Sequence, residues 1–262
     1  MTAVIAAIDN SMAARPVLAT AGAVARFFDA TLAAVHVRQN GYETARRAAE
    51  EARVSLQLLD RPTVAALAEV ARGDEVEALV VGARDTPAGG HPAGRTALQV
   101  IESLSKPVVV VPPLCRTPQR LQRVLLPLEG TAQTSLAPTA VLELAHDADV
   151  DVDVLHVHDE ASLPLFTDQP QHETPAWTEE FVARYCPYGL RSVNVELRVG
   201  RPEEEILRAV DETGVDLLAL GWNQTLLPGR GAVVREVLAR ASTPVLLIPV
   251  AAAAHAVTET RR

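Results

Sequence analysis

The chain reads twice. Val4-Ile5-Ala6-Ala7-Ile8-Asp9, a short apolar run ending in an acid, returns 120 residues later as Val124-Leu125-Leu126-Pro127-Leu128-Glu129. Leu32-Ala33-Ala34-Val35-His36-Val37 returns at the same offset of 120 as Val152-Asp153-Val154-Leu155-His156-Val157. Arg61-Pro62 matches Arg201-Pro202 at an offset of 140, and Ala78-Leu79-Val80-Val81-Gly82 matches Leu217-Leu218-Ala219-Leu220-Gly221 at 139. Lys106-Pro107 followed by Val108-Val109-Val110-Val111-Pro112 matches Thr243-Pro244 followed by Val245-Leu246-Leu247-Ile248-Pro249 at 137. Chance likeness between apolar strands explains one such match, not five in constant order. The one jump in offset marks an insertion in the second copy between Val157 and Arg201. The chain therefore divides into a first domain, 1–112, and a second, 122–250, with the insertion at about 159–192.

Within each copy, short β-branched runs alternate with longer Ala/Leu/Glu/Arg stretches of helical period. In the first copy the strands are predicted at 3–8, 32–37, 54–58, 77–82 and 107–111, and the helices at 15–28, 43–52, 62–72 and 95–104. Strands apolar on both faces and joined by helix-length crossovers belong to a parallel sheet covered on both sides. The expected fold class is α/β, two tandem doubly wound five-stranded parallel sheets. Pro62 and Pro202 suit a first helical turn, where the missing N–H is not needed. Glu203, Glu204 and Glu205 then sit at the positive end of a helix, so that acidic triplet has a structural explanation. Pro112, Pro113 and Pro118 make the join between the copies a stiff linker. Each copy ends in a wholly apolar strand, Val108–Val111 and Val245–Ile248, which would aggregate if left as an open edge. The two copies are therefore expected to pack on each other through these strands, unless a second chain covers them.

Composition narrows the function. Net charge is −9, and the excess lies in the second copy: residues 1–118 hold 12 basic and 12 acidic side chains, residues 119–262 hold 12 and 21. Neither half offers the basic footprint that captures nucleic acid. Aromatics are 3% of the chain, so Ala, Val and Leu must build the core. The start MTAVIAAIDNS lacks the basic region of a signal peptide, and the apolar runs are strand-length, so the expectation is a cytoplasmic protein without a membrane span. The cysteines, Cys115 and Cys186, have no metal or disulfide spacing. There is no GxxxxGK[ST], GxSxG or HExxH. His156 and His158 would share one face of a strand, but no third ligand accompanies them, so no metal site and no catalytic residue is assigned.

Ligands of an open parallel sheet bind beyond the carboxyl ends of its strands. In the first copy that rim collects Asp9-Asn10-Ser11, His36-Val37 and the loop GARDTPAGGHPAGR from Gly82 to Arg95, which runs into the helix starting near Thr96. Glycines and a helix N-terminus can receive a phosphate, and Arg84 and Arg95 could add charge-assisted contacts. The plain alternative is a βα loop whose glycines serve turns. The insertion carries Phe166 and Trp177 around Asp168, His172 and Glu173; it reads as a loop tucked over its own domain, with a lid or partner surface as the other reading.

Two copies that each open on a strand ending in an acid and a polar turn, and that close with strand, Gly-rich loop, helix and Pro-led strand, resemble universal stress protein domains. The resemblance covers about 1–112 and 122–250, and ARDTPAGGHPAGRTALQVIESLSKPVVVVPP resembles the bacterial, specifically actinobacterial, members. It implies a role in stress adaptation, pseudo-dimeric pairing of the copies through their last strands and, in one branch, an adenine nucleotide (ATP or AMP) held by G-x2-G-x9-G-[ST]. Neither copy keeps that pattern. In the first, Asp85 stands at the second glycine, eight residues separate it from Gly94, and Arg95 stands at the hydroxyl position with Thr96 one step late. In the second, Gly221-Trp222-Asn223-Gln224 is followed by only six residues before Gly231-Ala232, and Glu129 replaces Asp9. By this resemblance the first-copy nucleotide candidates are Asp9, Val37, Gly82, Arg84, Gly94, Arg95 and Thr96; the weaker second-copy equivalents are Glu129, Val157, Gly221 and Gly231. The implied function is a non-catalytic regulatory or interaction module with weak or absent nucleotide binding, its partners being the other copy, a second chain or another protein. The alternative is a sensor of ATP, AMP or cyclic AMP in the first domain. An enzyme of the related nucleotide α-hydrolase-like fold is disfavoured, because SGGxDS and HIGH are missing.

Overall fold

The structure is a computed structural model that describes residues 1–38, 41–83, 95–113, 115–128, 136–158, 179, 183, 193–222 and 231–249. The insertion at 159–192, apart from two isolated residues, lies outside this set, as do loop 84–94, Cys186 and the tail.

The first copy runs β1 (Ala3–Ala7), α1 (Ala14–Phe27), β2 (Thr31–Val37), α2 (Glu43–Ala52), β3 (Leu56–Leu59), α3 (Thr63–Ala71), β4 (Val76–Gly82), α4 (Arg95–Ser103), β5 (Val108–Val111). The second runs β6 (Arg123–Leu128), α5 (Leu136–Ala148), β7 (Asp151–His158), β8 (Val193–Val199), α6 (Pro202–Thr213), β9 (Leu217–Trp222), α7 (Ala232–Arg240), β10 (Val245–Pro249). The repeated strands of the sequence are the repeated strands of the fold. Pro202 opens α6 with the three glutamates in its first turn, whereas Pro62 sits one position before α3. The triplet is further occupied structurally: Glu205, buried, pairs with Arg208 and lies 3.7 Å from Arg198, which also holds Glu196 at 2.8 Å and Glu212 at 2.7 Å.

The strand order is β3-β2-β1-β4-β5-β10-β9-β6-β7-β8. Each half is a five-stranded parallel sheet, but the halves are not separate sheets. They join into one ten-stranded sheet through an antiparallel β5–β10 pair, with Val110 opposite Val245, Val109 opposite Leu246 and Val108 opposite Leu247. The expectation of two independent sheets is corrected here. Unpaired N–H and C=O groups on two wholly buried apolar strands find partners in each other, and one shared ladder removes both edges.

Side chains alternate across the sheet, so β1 sends Val4 and Ala6 to one core and Ile5 to the other. The first core lies under α1, α2 and α5 and the second under α3, α4, α6 and α7. Both run from one copy into the other, which makes the junction a continuation of the interior. Lys106 ties the turn before β5 to the turn before β4, its Nζ donating to the carbonyls of Gly73 at 2.7 Å and Val76 at 2.6 Å.

The copies differ at one interior strand. β1 pairs with β4 through five residues, to Ala7, but β6 pairs with β9 only at Val124 and Leu125. Successive N–H groups point to opposite sides of a strand, and that of Ile8 donates to Val35 of β2, so the N–H of Ala7 faces β4. Pro127, the repeat of Ala7, has no N–H to give, and the second-copy ladder opens there.

Candidate functional site

In each half the strand order reverses at the first strand, between β1 and β4 or between β6 and β9, where an α/β sheet opens a crevice. Register places three first-copy candidates at one level. Ala7 is opposite Val35 and Val81, so Asp9, Val37 and the Gly82–Ala83 corner emerge together at the carboxyl ends of β1, β2 and β4. Gly82 has a packing role there as well: a Cβ on it would stand 3.1 Å from Cγ2 of Val17, so glycine lets α1 lie close to β4.

The polar turn after β1 is self-organised. Asp9, exposed, accepts from the Ser11 N–H at 3.1 Å and the Ser11 hydroxyl at 2.6 Å. Ser11 Oγ in turn accepts from the Ala13 N–H at 3.1 Å, leading the chain into α1. Asn10 reaches the next crossover, where its Oδ1 accepts from the N–H groups of Thr44 at 2.8 Å and Ala45 at 3.3 Å. Tyr42, at the N-cap of α2, supplies no side-chain cap, so Asn10 satisfies donors that the helix leaves open. Asn10→Ala should lower stability by about 1 kcal/mol. Amide exchange should quicken first at Thr44 and Ala45; unchanged protection there would remove the capping role.

Below the turn lies His36, buried. Its Nδ1 stands 2.9 Å from the Ile8 carbonyl and its Nε2 3.0 Å from the Gly41 carbonyl. Gly41 has φ +78°, the left-handed region that brings its carbonyl round to the ring. His156 repeats the first contact, with Nδ1 3.0 Å from the Leu128 carbonyl, and its ring meets that of His158 edge-on at 4.6 Å. Burial holds the His156 imidazole below the ordinary histidine range; the Leu128 carbonyl pulls upward and His158 pushes down again. These histidines clamp adjacent strand ends, and among the described residues no group of three His, Cys, Asp or Glu gathers as a metal set.

In the second copy the corner matching Ala83 is Trp222, which is 3% exposed and packs in the same core as Leu125 and Leu155. Its indole occupies the level at which the first copy carries a methyl group. The 139-residue offset could have disclosed this exchange, since it sets Trp222 against Ala83. Gly221 is the last residue but one of β9 and Gly231 precedes α7, so both stand at the second rim, and Val157 lies in β7 beside His156. Arg84, Gly94 and Glu129 lie outside the described residues; Arg95 and Thr96 open α4, their side chains outside the description. Cys115, half-buried, has its thiol pushed up to about 11 by burial, so it is protonated and a poor nucleophile at neutral pH. Among the described residues no helix is long and apolar enough to cross a membrane.

Comparison with known proteins agrees with this architecture. No curated protein matches the chain. A universal stress protein from Archaeoglobus fulgidus DSM 4304 superposes with a TM-score of 0.66 at 14% identity, covering 94% of this chain and 98% of that one. A putative universal stress protein from Pseudomonas aeruginosa UCBPP-PA14 gives 0.67 at 14% identity, covering 100% and 98%. At those identities the likeness is one of fold. A universal stress protein in complex with cAMP covers 50% of this chain and 98% of its own, at 22% identity and a TM-score of 0.41. The sequence pattern of the Universal stress protein family itself matches residues 38–112 and 120–249. Matched in both copies, which is most of its length, the chain belongs to the universal stress protein family.

Proposed function

We propose that the protein is a non-catalytic, cytoplasmic regulatory or interaction module of stress adaptation, in which any nucleotide binding is weak and confined to the first copy. The observation that carries this reading is the use of the rim's polar groups. Asn10 caps α2, Asp9 is turned to Ser11, and both ring nitrogens of His36 face backbone carbonyls. None of them is arranged as a nucleophile with its base, which acyl or phosphoryl chemistry would require. The second copy takes the position of a second subunit along β5–β10, so each half serves as the other's partner. In the second copy Trp222 is buried at the end of β9, where the first copy carries Ala83.

A nucleotide sensor in the first copy is the second reading, and two observations favour it. Asp9 remains exposed level with Val37 and Gly82, and Met12 beside it is 71% exposed, an apolar surface on which a base could rest. Opposing it, Asp9 and Asp85 repel a polyphosphate where Arg84 and Arg95 attract it. Charges about 4 Å apart near a surface interact by roughly a few kcal/mol before screening, so the two effects are comparable. Asp9 alone could still accept a hydrogen bond from an adenine, which favours a nucleotide with fewer phosphates. Calorimetry with ATP, AMP and cyclic AMP on the wild type and on Gly94→Trp separates the readings. Little or no tight ATP binding is expected. Micromolar ATP binding that Gly94→Trp abolishes would establish the sensor.

A further inference from the structure

His36 stands between two hydrogen-bond acceptors. A neutral imidazole carries one N–H and one lone pair, whereas an imidazolium carries two N–H groups. With Ile8 O at 2.9 Å from Nδ1 and Gly41 O at 3.0 Å from Nε2, only the cation donates to both. The neutral ring keeps one bond and sets a lone pair against the other carbonyl. The Nδ1 bond recurs in the second copy as His156 to Leu128, 120 residues on. It holds two strand ends that are already paired in the sheet. The Nε2 contact instead reaches across to Gly41, on the loop that leads into α2, and is the contact the molecule can release.

We infer that His36 is a proton-dependent tie that fastens Gly41, just ahead of α2, against the carboxyl end of β1 when the ring is charged and lets it go when the ring is neutral. The loop carries Tyr42 into α2, whose first N–H groups Asn10 caps, so the tie and the cap act on the same few residues.

The charged groups on the elements around His36 have neighbours of their own, and Arg47 of α2 lies near enough to Glu51 to act on its charge. At the end of β1, Asp9 is engaged by Ser11. Arg38, after β2, faces Asp60 at 3.6 Å and lies over the Tyr42 ring. On α2, Glu43 accepts from the Tyr42 N–H at 3.0 Å, Arg46 pairs with Glu50 at 3.7 Å, and Glu51 pairs with Arg15 of α1 at 2.9 Å. Backbone N–H groups hold the Glu43 carboxyl below its ordinary range, and Arg15 does the same for Glu51. Glu43 and Glu51 therefore stay charged across the interval in which a histidine ordinarily titrates.

The tie needs no nucleotide, and it is tested without one. That it would also tune binding at the first rim rests on the sensor reading, which calorimetry addresses separately. Histidine long-range ¹H–¹⁵N spectra and amide exchange, corrected for intrinsic rates, are recorded on the full chain between about pH 5 and pH 8. Expected is a His36 ring with both nitrogens protonated at the acid end that loses the Nε2 proton on raising the pH. Protection at Thr44 and Ala45 should fall several-fold over the same interval, and His36→Gln should abolish that pH dependence. A ring that keeps one neutral tautomer throughout, with flat loop protection, overturns the tie. So does an equal pH response in His36→Gln. The wild-type spectra decide the matter even where the variant folds poorly.

Discussion

Leu246→Ala is expected to cost about 2–5 kcal/mol, the range for truncating a fully buried leucine. Leu246 has no exposed surface, lies in β10 and stands opposite Val109 of β5, which is equally inaccessible. The cavity would open where the two halves of the sheet meet, with core from both copies around it. The chain should respond as one cooperative body, with a shifted denaturant midpoint read by both copies together. Val109→Ala should couple to it, because residues in direct contact show interaction energies of about 0.5–3 kcal/mol in a double-mutant cycle. Strict additivity, or a first copy that melts at its old midpoint while the second loses stability, would show the halves to be energetically separate.

Trp222→Ala is the second large effect, about 3–5 kcal/mol for removing a buried tryptophan. The indole is buried in the same core as Leu125 and Leu155, at the end of β9 beyond the place where Pro127 ends the β6–β9 ladder. That ladder has few bonds to close the gap, so side-chain packing must hold the strand ends together. Denaturant unfolding measures the loss, and the wild-type minus variant emission spectrum isolates Trp222 from Trp177. The difference spectrum should be blue, as for an indole away from water. A red difference spectrum, or a loss below about 1 kcal/mol, would mean the indole is not packed in the second-copy core.

The repeat made most of the fold readable, because a parallel strand buried on both faces leaves an unbroken apolar run that survives duplication. Pro127, which stands where the first copy has Ala7, marks a real difference in pairing. The joining of the two sheets was less legible. Apolar β5 and β10 announce that they must be covered, but composition alone does not choose between each other and a second chain. At the rim, the residues Asp9-Asn10-Ser11 could be located by topology, yet their partners could not. Asn10 finds Thr44 across 34 residues, and that contact depends on how α2 settles against the sheet. The contact of His36 with Ile8 repeats between the copies, but the one with Gly41 depends on a single left-handed residue in a loop without periodicity.

The antiparallel pairing of β5 with β10 has a consequence for what this molecule can hold. Every strand of one half points one way across the junction and every strand of the other half points back. The carboxyl ends of the two sets of strands therefore lie on opposite edges of the sheet, and among the described residues the two rims share no part. Whatever docks at one edge leaves the other clear, so the geometry is that of a bridge with two independent landings.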